Sequence, residues 1–427
     1  MKIAPKTAPL HLVGSLACVA ACMLVGCQDS VTPAETNASG DAGAASEASV
    51  SVSGAATPAE PTTSTRWTTF RGDARLTGVS TSALSEQPSE LWRVETGGPV
   101  VSSPVVSDGV VYVGSDDGKL YALDAASGSE VWAYQTEDVI EAPPLIHDGV
   151  IYIGSHDYRF YAIDAKTGDV KWSVETGEKV VAGANTASGT SGETLIVFGS
   201  HDATVYGVHA QTGDIAWAFE TADRVNATVA VDAKNRVIFG GCDTKLYVLD
   251  GATGDELASM SLGAECNVAA SVGVSGEHVY FGHNANAFIA IDLAKRERSW
   301  TYPNDRFGFF SPPAVTADRV VFGGRDRHVH CVDRVTGEPI WSFKTRRKVD
   351  AAPTVAGDFV VAGSGDGRLY LLRLDTGEEV WSADLGRSVF SSPAVVDGVI
   401  YVGSNDGAIY AFGGASEAAS EGKTTDG

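Results

Sequence analysis

An internal repeat of about 40 residues constrains this chain more than any other feature. The run Gly-Ser-Asp-Asp-Gly-Lys-Leu-Tyr-Ala-Leu-Asp, Gly114 to Asp124, returns as Gly-Ser-His-Asp-Tyr-Arg-Phe-Tyr-Ala-Ile-Asp from Gly154 to Asp164. Altered copies surround Tyr206, Tyr247, Ile289, His330, Tyr370 and Tyr410, which makes eight. Turns such as Ala165-Lys166-Thr167-Gly168 and a line of tryptophans punctuate them: Trp92, Trp132, Trp172, Trp217, Trp300, Trp341 and Trp381, with Ala258 in the one vacant slot. A unit this short cannot bury its own apolar face, so the copies must stack on one another.

Within one unit, alternation and turn chemistry predict strand A over Val100 to Val106, B over Val110 to Gly114, C over Lys119 to Leu123 and D over Val131 to Gln135. Asp108-Gly109, Asp116 to Gly118 and Ala125 to Gly128 supply the turns. Four antiparallel strands per repeat is a propeller blade. The first D-type strand, Leu91 to Glu95, has no A, B or C strand before it. The last unit offers Val389 to Val395, Val399 to Gly403 and Ala408 to Phe412 with no D strand after it. The expected fold is therefore all-β, an eight-bladed propeller over 91–413, closed by the N-terminal strand on the C-terminal blade so that no edge is left open. Each Trp, with the Gly four residues before it, is expected to dock an indole between blades and bond a turn.

The ends read differently. Residues 1–26 have a basic start at Lys2 and Lys6 and an apolar stretch from Leu12 that is short for a membrane span, so they are expected to be a targeting segment. Residues 27–65 are rich in Ala, Ser, Thr, Gly and Pro and carry no aromatic up to Thr65, the composition of a tether spanning roughly 30 to 35 Å as a coil. Residues 66–90 form a lead-in, and 414–427 a second unstructured tail. Leu24-Val25-Gly26-Cys27 resembles the bacterial lipobox, which implies a lipid on Cys27. Gln28, where a retention signal would place Asp, implies sorting to the outer membrane, facing the periplasm.

A net charge of −23 argues against nucleic-acid or anionic-lipid surfaces, leaving the lipid as the only membrane contact and a monomeric body as the expectation. Cys242, Cys266 and Cys331 allow one disulfide at most after Cys27. Both a Cys242–Cys266 bridge and free thiols remain open, and Cys331 reads as a buried apolar residue.

The pattern Leu-Tyr-Ala-Leu-Asp-x-x-x-Gly-x-x-x-Trp resembles the repeat of the pyrroloquinoline-quinone-like (PQQ-like) propellers, and Trp67 to Asp73 with Thr77 to Ser80 resembles their lead-in. Eight blades with a lipobox are similar to the BamB-type lipoproteins of the outer-membrane β-barrel assembly machinery. That resemblance implies a scaffold bound to an outer-membrane barrel assembly protein. The repeat also implies a second class, a PQQ-dependent oxidoreductase with Ca²⁺, whose quinone platform is a vicinal disulfide. No Cys-Cys pair exists here, so no cofactor, metal or catalytic residue is expected. A small-ligand or glycan sensor is a third reading.

Residues present in every unit serve the unit, whereas residues that vary serve a site. Asp117, Asp157, Asp202, Asp243, Asp326, Asp366 and Asp406 are expected to be turn formers. The residue before each varies, as does a set near the start of strand A, counted from the Trp line as Val101, Glu141, Val181, Asn226, Asn267, Phe309, Asp350 and Phe390. Glu141, His156, His201 and Asp350 are thus expected at the channel mouth. Arg325, Arg327, Arg346 and Arg347, with Lys348, form the one basic concentration, and with Phe309 they are the candidate protein interface.

Overall fold

The computed structural model describes residues 66–414 apart from Ala264. The targeting segment 1–26, Cys27, the tether up to 65 and the tail from 415 lie outside the described residues. Eight four-stranded antiparallel sheets follow one another along the chain. Blade 1 comprises Val105–Ser107, Val110–Gly114, Lys119–Asp124 and Glu130–Gln135 as strands A to D. Blades 2 to 7 repeat this order, with their A strands starting at Leu145, Ala184, Ala230, Gly273, Ala314 and Thr354. Blade 8 takes Ala394–Val396, Val399–Ser404 and Ala408–Gly413 from the C-terminal end and its D strand, Ser89–Glu95, from the N-terminal end. The predicted closure is what the chain adopts, and among the described residues there is no helix.

Strands B and C are buried along their length because both faces meet a neighbouring blade, as in Ile151 to Gly154 and Phe160 to Ile163. Phe160 stacks on Phe198 at 3.8 Å, and Phe288 on Phe322 at 3.8 Å, across blade interfaces. The tryptophans fix the spacing of the blades. Trp92 Nε1–H donates to Ala125 O at 2.9 Å, Trp132 to Ala165 O at 3.1 Å and Trp341 to Leu374 O at 2.8 Å, each reaching the C-to-D turn of the next blade. The turn Asp residues also behave as expected. Asp117 accepts the Lys119 N–H, the Tyr121 hydroxyl at 2.6 Å and the Gly97 N–H at 2.7 Å, tying the B-to-C turn to the loop entering its own blade.

Strand A is shorter than the expected Val100 to Val106, because proline at Pro104, Pro144, Pro313, Pro353 and Pro393 removes a ladder donor just before the paired segment. The preceding stretch is held between blades instead. Val100 N–H donates to Ser404 O, Ile140 to Ser115 O and Val349 to Gly324 O. Cys242, Cys266 and Cys331 are all free thiols, so the unbridged alternative holds, and Cys331 is buried.

Innermost strands leave N–H groups facing the channel, and the lead-in satisfies them in turn. Val106 donates to Trp67 O, Ile146 to Thr68 O, Val231 to Ala74 O, Val274 to Arg75 O, Val315 to Thr77 O and Val355 to Gly78 O. Val79–Ser80 then runs parallel to Val355–Ala356, and the Ser80 hydroxyl donates to Val395 O at 2.8 Å. The lead-in therefore follows the inner strands around the lower end of the ring, with backbone bonds to blades 1, 2, 4, 5, 6 and 7 and side-chain bonds to blades 3 and 8.

Candidate functional site

The lead-in occupies the lower end of the ring, so the upper rim is the candidate mouth. It is built from the B-to-C turns and the loops joining strand D to the next strand A. The residues following Val100, Ile140, Val180, Val225, Val268, Phe309, Val349 and Val389 line it, and all eight are half-buried: Val101, Glu141, Val181, Asn226, Ala269, Phe310, Asp350 and Phe390. Two expected members are corrected. Ala269 replaces Asn267 and Phe310 replaces Phe309, because the loops entering blades 5 and 6 are longer than the others and shift a count made from the Trp line.

Phe309 is accordingly removed from the candidate interface. It is 1% exposed and packs edge-on against Phe322 at 5.2 Å. Phe310 takes the rim position, and the Arg325 guanidinium lies over its ring at 3.7 Å.

The mouth has two sectors of opposite charge. On blades 1 to 4, His156 Nε2 meets Glu141 Oε2 at 2.9 Å, with Asp116, His201 and Asn226 close by in sequence-equivalent positions. Burial pushes Asp116 up to about 6, Glu141 adds to the shift and His156 opposes it. The His156 bond holds the Glu141 carboxyl below its usual range, while burial, then Lys179 and Arg224, lower His201. Asp116 Oδ1, His201 Nε2 and Asn226 Oδ1 are buried without hydrogen-bond partners. The expected quartet is thus split: Glu141 and His156 are joined and His201 lies in the same sector, but Asp350 belongs to the other one.

On blades 6 to 8, Arg325 Nε donates to Asp350 Oδ1 at 3.1 Å, and Lys348 Nζ lies 2.5 Å from Asp350 Oδ2. Lys348 also sits over Phe390 at 5.0 Å. Arg325, Arg327, Arg346, Arg347, Lys348 and Phe390 enclose a cleft of about 530 Å³, so four of the five expected interface residues come together.

One buried charged side chain escaped the sequence reading. Arg71 of the lead-in is 1% exposed, and its guanidinium donates to Pro313 O at 3.0 Å, to Pro353 O and to Thr354 Oγ1 at 3.3 Å. Among the described residues no carboxylate bonds it, and burial lowers its pKa to about 9. Its only sequence signal is Gly78, where a Cβ would overlap the guanidinium.

The residues at the mouth do not fit a quinone and Ca²⁺ site of the resembling dehydrogenases. Cys242 stands alone at the rim, its sulfur accepting the Asn226 Nδ2–H at 3.4 Å, where that site carries adjacent half-cystines. Among the described residues no three His, Cys, Asp or Glu side chains converge to hold a metal ion. Asp350 is already engaged by two cations.

Fold, repeat and lead-in together define an eight-bladed PQQ-like propeller. The family model described as "Outer membrane protein assembly factor BamB" matches residues 79–218, 201–326 and 325–417, nearly the whole ring, and the chain belongs to that family. Among solved structures, BamB from Moraxella catarrhalis aligns at TM-score 0.64 and 22% identity, covering 78% of this chain and 99% of its own. Quinohemoprotein alcohol dehydrogenase from Comamonas testosteroni aligns at 0.71 and 16%, covering 86% and 84%. A europium-containing methanol dehydrogenase aligns at 0.68 and 12%, covering 82% and 98%. At these identities the structures share the fold. No curated protein sequence matches the chain.

Proposed function

We propose that the chain is a periplasmic lipoprotein, tethered to the outer membrane through Cys27, whose propeller is a protein-binding scaffold in the assembly of outer-membrane β-barrel proteins. The observation that carries this reading is the BamB family match along three consecutive stretches of the ring. The mismatch of the rim with a quinone site supports a mode of action by contact alone, without bound quinone or Ca²⁺. Fold likeness to dehydrogenases carries no chemistry by itself.

Crosslinked capture from native membranes tests the proposal, using the lipidated protein beside a Cys27→Ala variant. Recovery of an outer-membrane barrel assembly protein with the lipidated form, reduced for the variant, is the expected result. Capture of no such protein, with a quinone chromophore copurifying, would overturn it.

A further inference from the structure

We propose that the basic cleft over blades 6 to 8 docks an acidic segment of a partner protein that carries an apolar side chain beside its carboxylates. The proposal rests on the scaffold reading and names the surface and the chemistry it recognises.

The first argument is charge. The chain has 54 acidic and 31 basic residues, so a basic side chain meets a carboxylate easily. In the cleft, Asp350 engages Arg325 and Lys348, while Asp366 receives the backbone N–H of Arg346 at 2.9 Å instead of its side chain. Among the described residues, no carboxylate pairs with the Arg327, Arg346 or Arg347 side chains. Like charges gathered without partners repel, and an incoming anion relieves that cost.

The second argument is internal comparison. The turn that carries Arg346-Arg347 carries Gly97-Gly98, Glu137-Asp138, Gly177-Glu178 and Ala222-Asp223 elsewhere in the ring. The same backbone thus accepts glycine or acid, and the arginines are not required by the turn. Arginine, unlike lysine, grips a carboxylate through two parallel bonds.

The third argument separates a protein segment from a phosphate. Asn304 and Thr345 donate to equivalent carbonyls, as do Phe309 and Val349, so the loop into blade 6 takes five steps where the loop into blade 7 takes four. The extra residue leaves Phe307 43% exposed, next to Gly308, which packs on Phe310 beneath Arg325. Phe307 thus adds an exposed aromatic on the loop that seats Phe310 beneath Arg325, and aromatic and arginine side chains together are the make-up of a protein-binding hot spot. A phosphate gains nothing from Phe307.

The experiment uses the full mature chain and a labelled dodecapeptide of alternating Asp and Leu, read by fluorescence anisotropy at low salt. An Asn/Leu peptide and vesicles of phosphatidylglycerol are the comparison probes. The acidic peptide should bind and the Asn/Leu peptide should not. R346E/R347E should weaken binding about tenfold or more, and Phe307→Ser severalfold. E137K/E178K, on exposed turns of the opposite sector, should not weaken it. An unchanged melting temperature shows that R346E/R347E is folded, as expected for two exposed side chains. Peptide binding indifferent to R346E/R347E, or vesicle binding without peptide binding, would overturn the proposal. So would undiminished crosslinked capture of a barrel assembly protein by R346E/R347E, which leaves the scaffold reading standing. Failure of the unaltered protein to capture any such partner would sink the scaffold reading, and the peptide would still decide the cleft.

Discussion

The indole of Trp92 lies so close to Gly128 in the next blade that a Cβ there would come within 2.8 Å of the ring, and φ at Gly128 is +73°. The same pairing joins Trp132 to Gly168, Trp172 to Gly213, Trp217 to Gly254, Trp300 to Gly337 and Trp341 to Gly377. Two junctions depart from this pattern: Trp381 meets Phe412 of blade 8, whose D strand comes from the N-terminal end, and the junction of blades 4 and 5 lacks both partners. Ala258 pairs with Val248 in the register that Trp132 keeps with Ala122, and the glycine position of blade 5 is occupied by Arg296 at φ 57°. A side chain at the glycine position would overlap an indole at 258, so Arg296 is accommodated by the small Ala258.

A double-mutant cycle at this pair has a definite expectation. Ala258→Trp alone should destabilise by about 1–3 kcal/mol through overpacking against Arg296. Adding Arg296→Gly should recover at least about 1 kcal/mol beyond the sum of the single effects. Urea melts of the four proteins measure the coupling, and additive changes would show that the two positions do not meet.

The lead-in ring makes a second prediction. Arg71→Met leaves the Pro313 and Pro353 carbonyls without their donor, and Gly78→Ala pushes a methyl into the guanidinium. Each should cost about 2–4 kcal/mol. Arg75→Met, at a side chain 51% exposed in a surface ion pair, should change stability by less than about 1 kcal/mol. Chemical denaturation separates the two cases, and an effect at Arg71 as small as that expected at Arg75 would show that the Arg71 contacts carry no stability.

Much of this architecture was legible in the sequence, for identifiable reasons. Repetition averages out local ambiguity, so the turn Asp, the Trp line and the closure of Ser89–Glu95 on Ala408–Gly413 could be read from residues alone. Register at the mouth was less secure. One extra residue before Phe309 puts that side chain in the core, and a longer loop from Leu262 to Val268 moves the rim position from Asn267 to Ala269, without any change in composition. The lead-in ring was not legible at all, because it is made of backbone bonds from a segment with no periodicity, to which Trp67, Thr68 and Ala74 contribute carbonyls that any residue has.

Asp116 gives a pH-dependent prediction. Its carboxyl is raised from 3.8 to about 6, so between those values the folded protein holds a proton that the unfolded chain has lost. Stability contributed by the group therefore falls as pH rises through that window, and the full cost is present above about pH 6. Asp116→Asn should stabilise the protein by about 1 kcal/mol at pH 7.5, after allowance for solvent screening, with the gain vanishing near pH 4. Urea melts at the two pH values check it, and a variant that is neutral or destabilised at pH 7.5 would contradict the burial argument.

The most direct test of the scaffold role is the amount of folded outer-membrane β-barrel protein in cells with and without this chain, read from the mobility difference between heated and unheated samples. A several-fold fall in folded barrels on deletion, restored by the intact chain and not by Cys27→Ala, is the predicted result. Unchanged barrel levels together with loss of a quinone-dependent dye-reducing activity would contradict it.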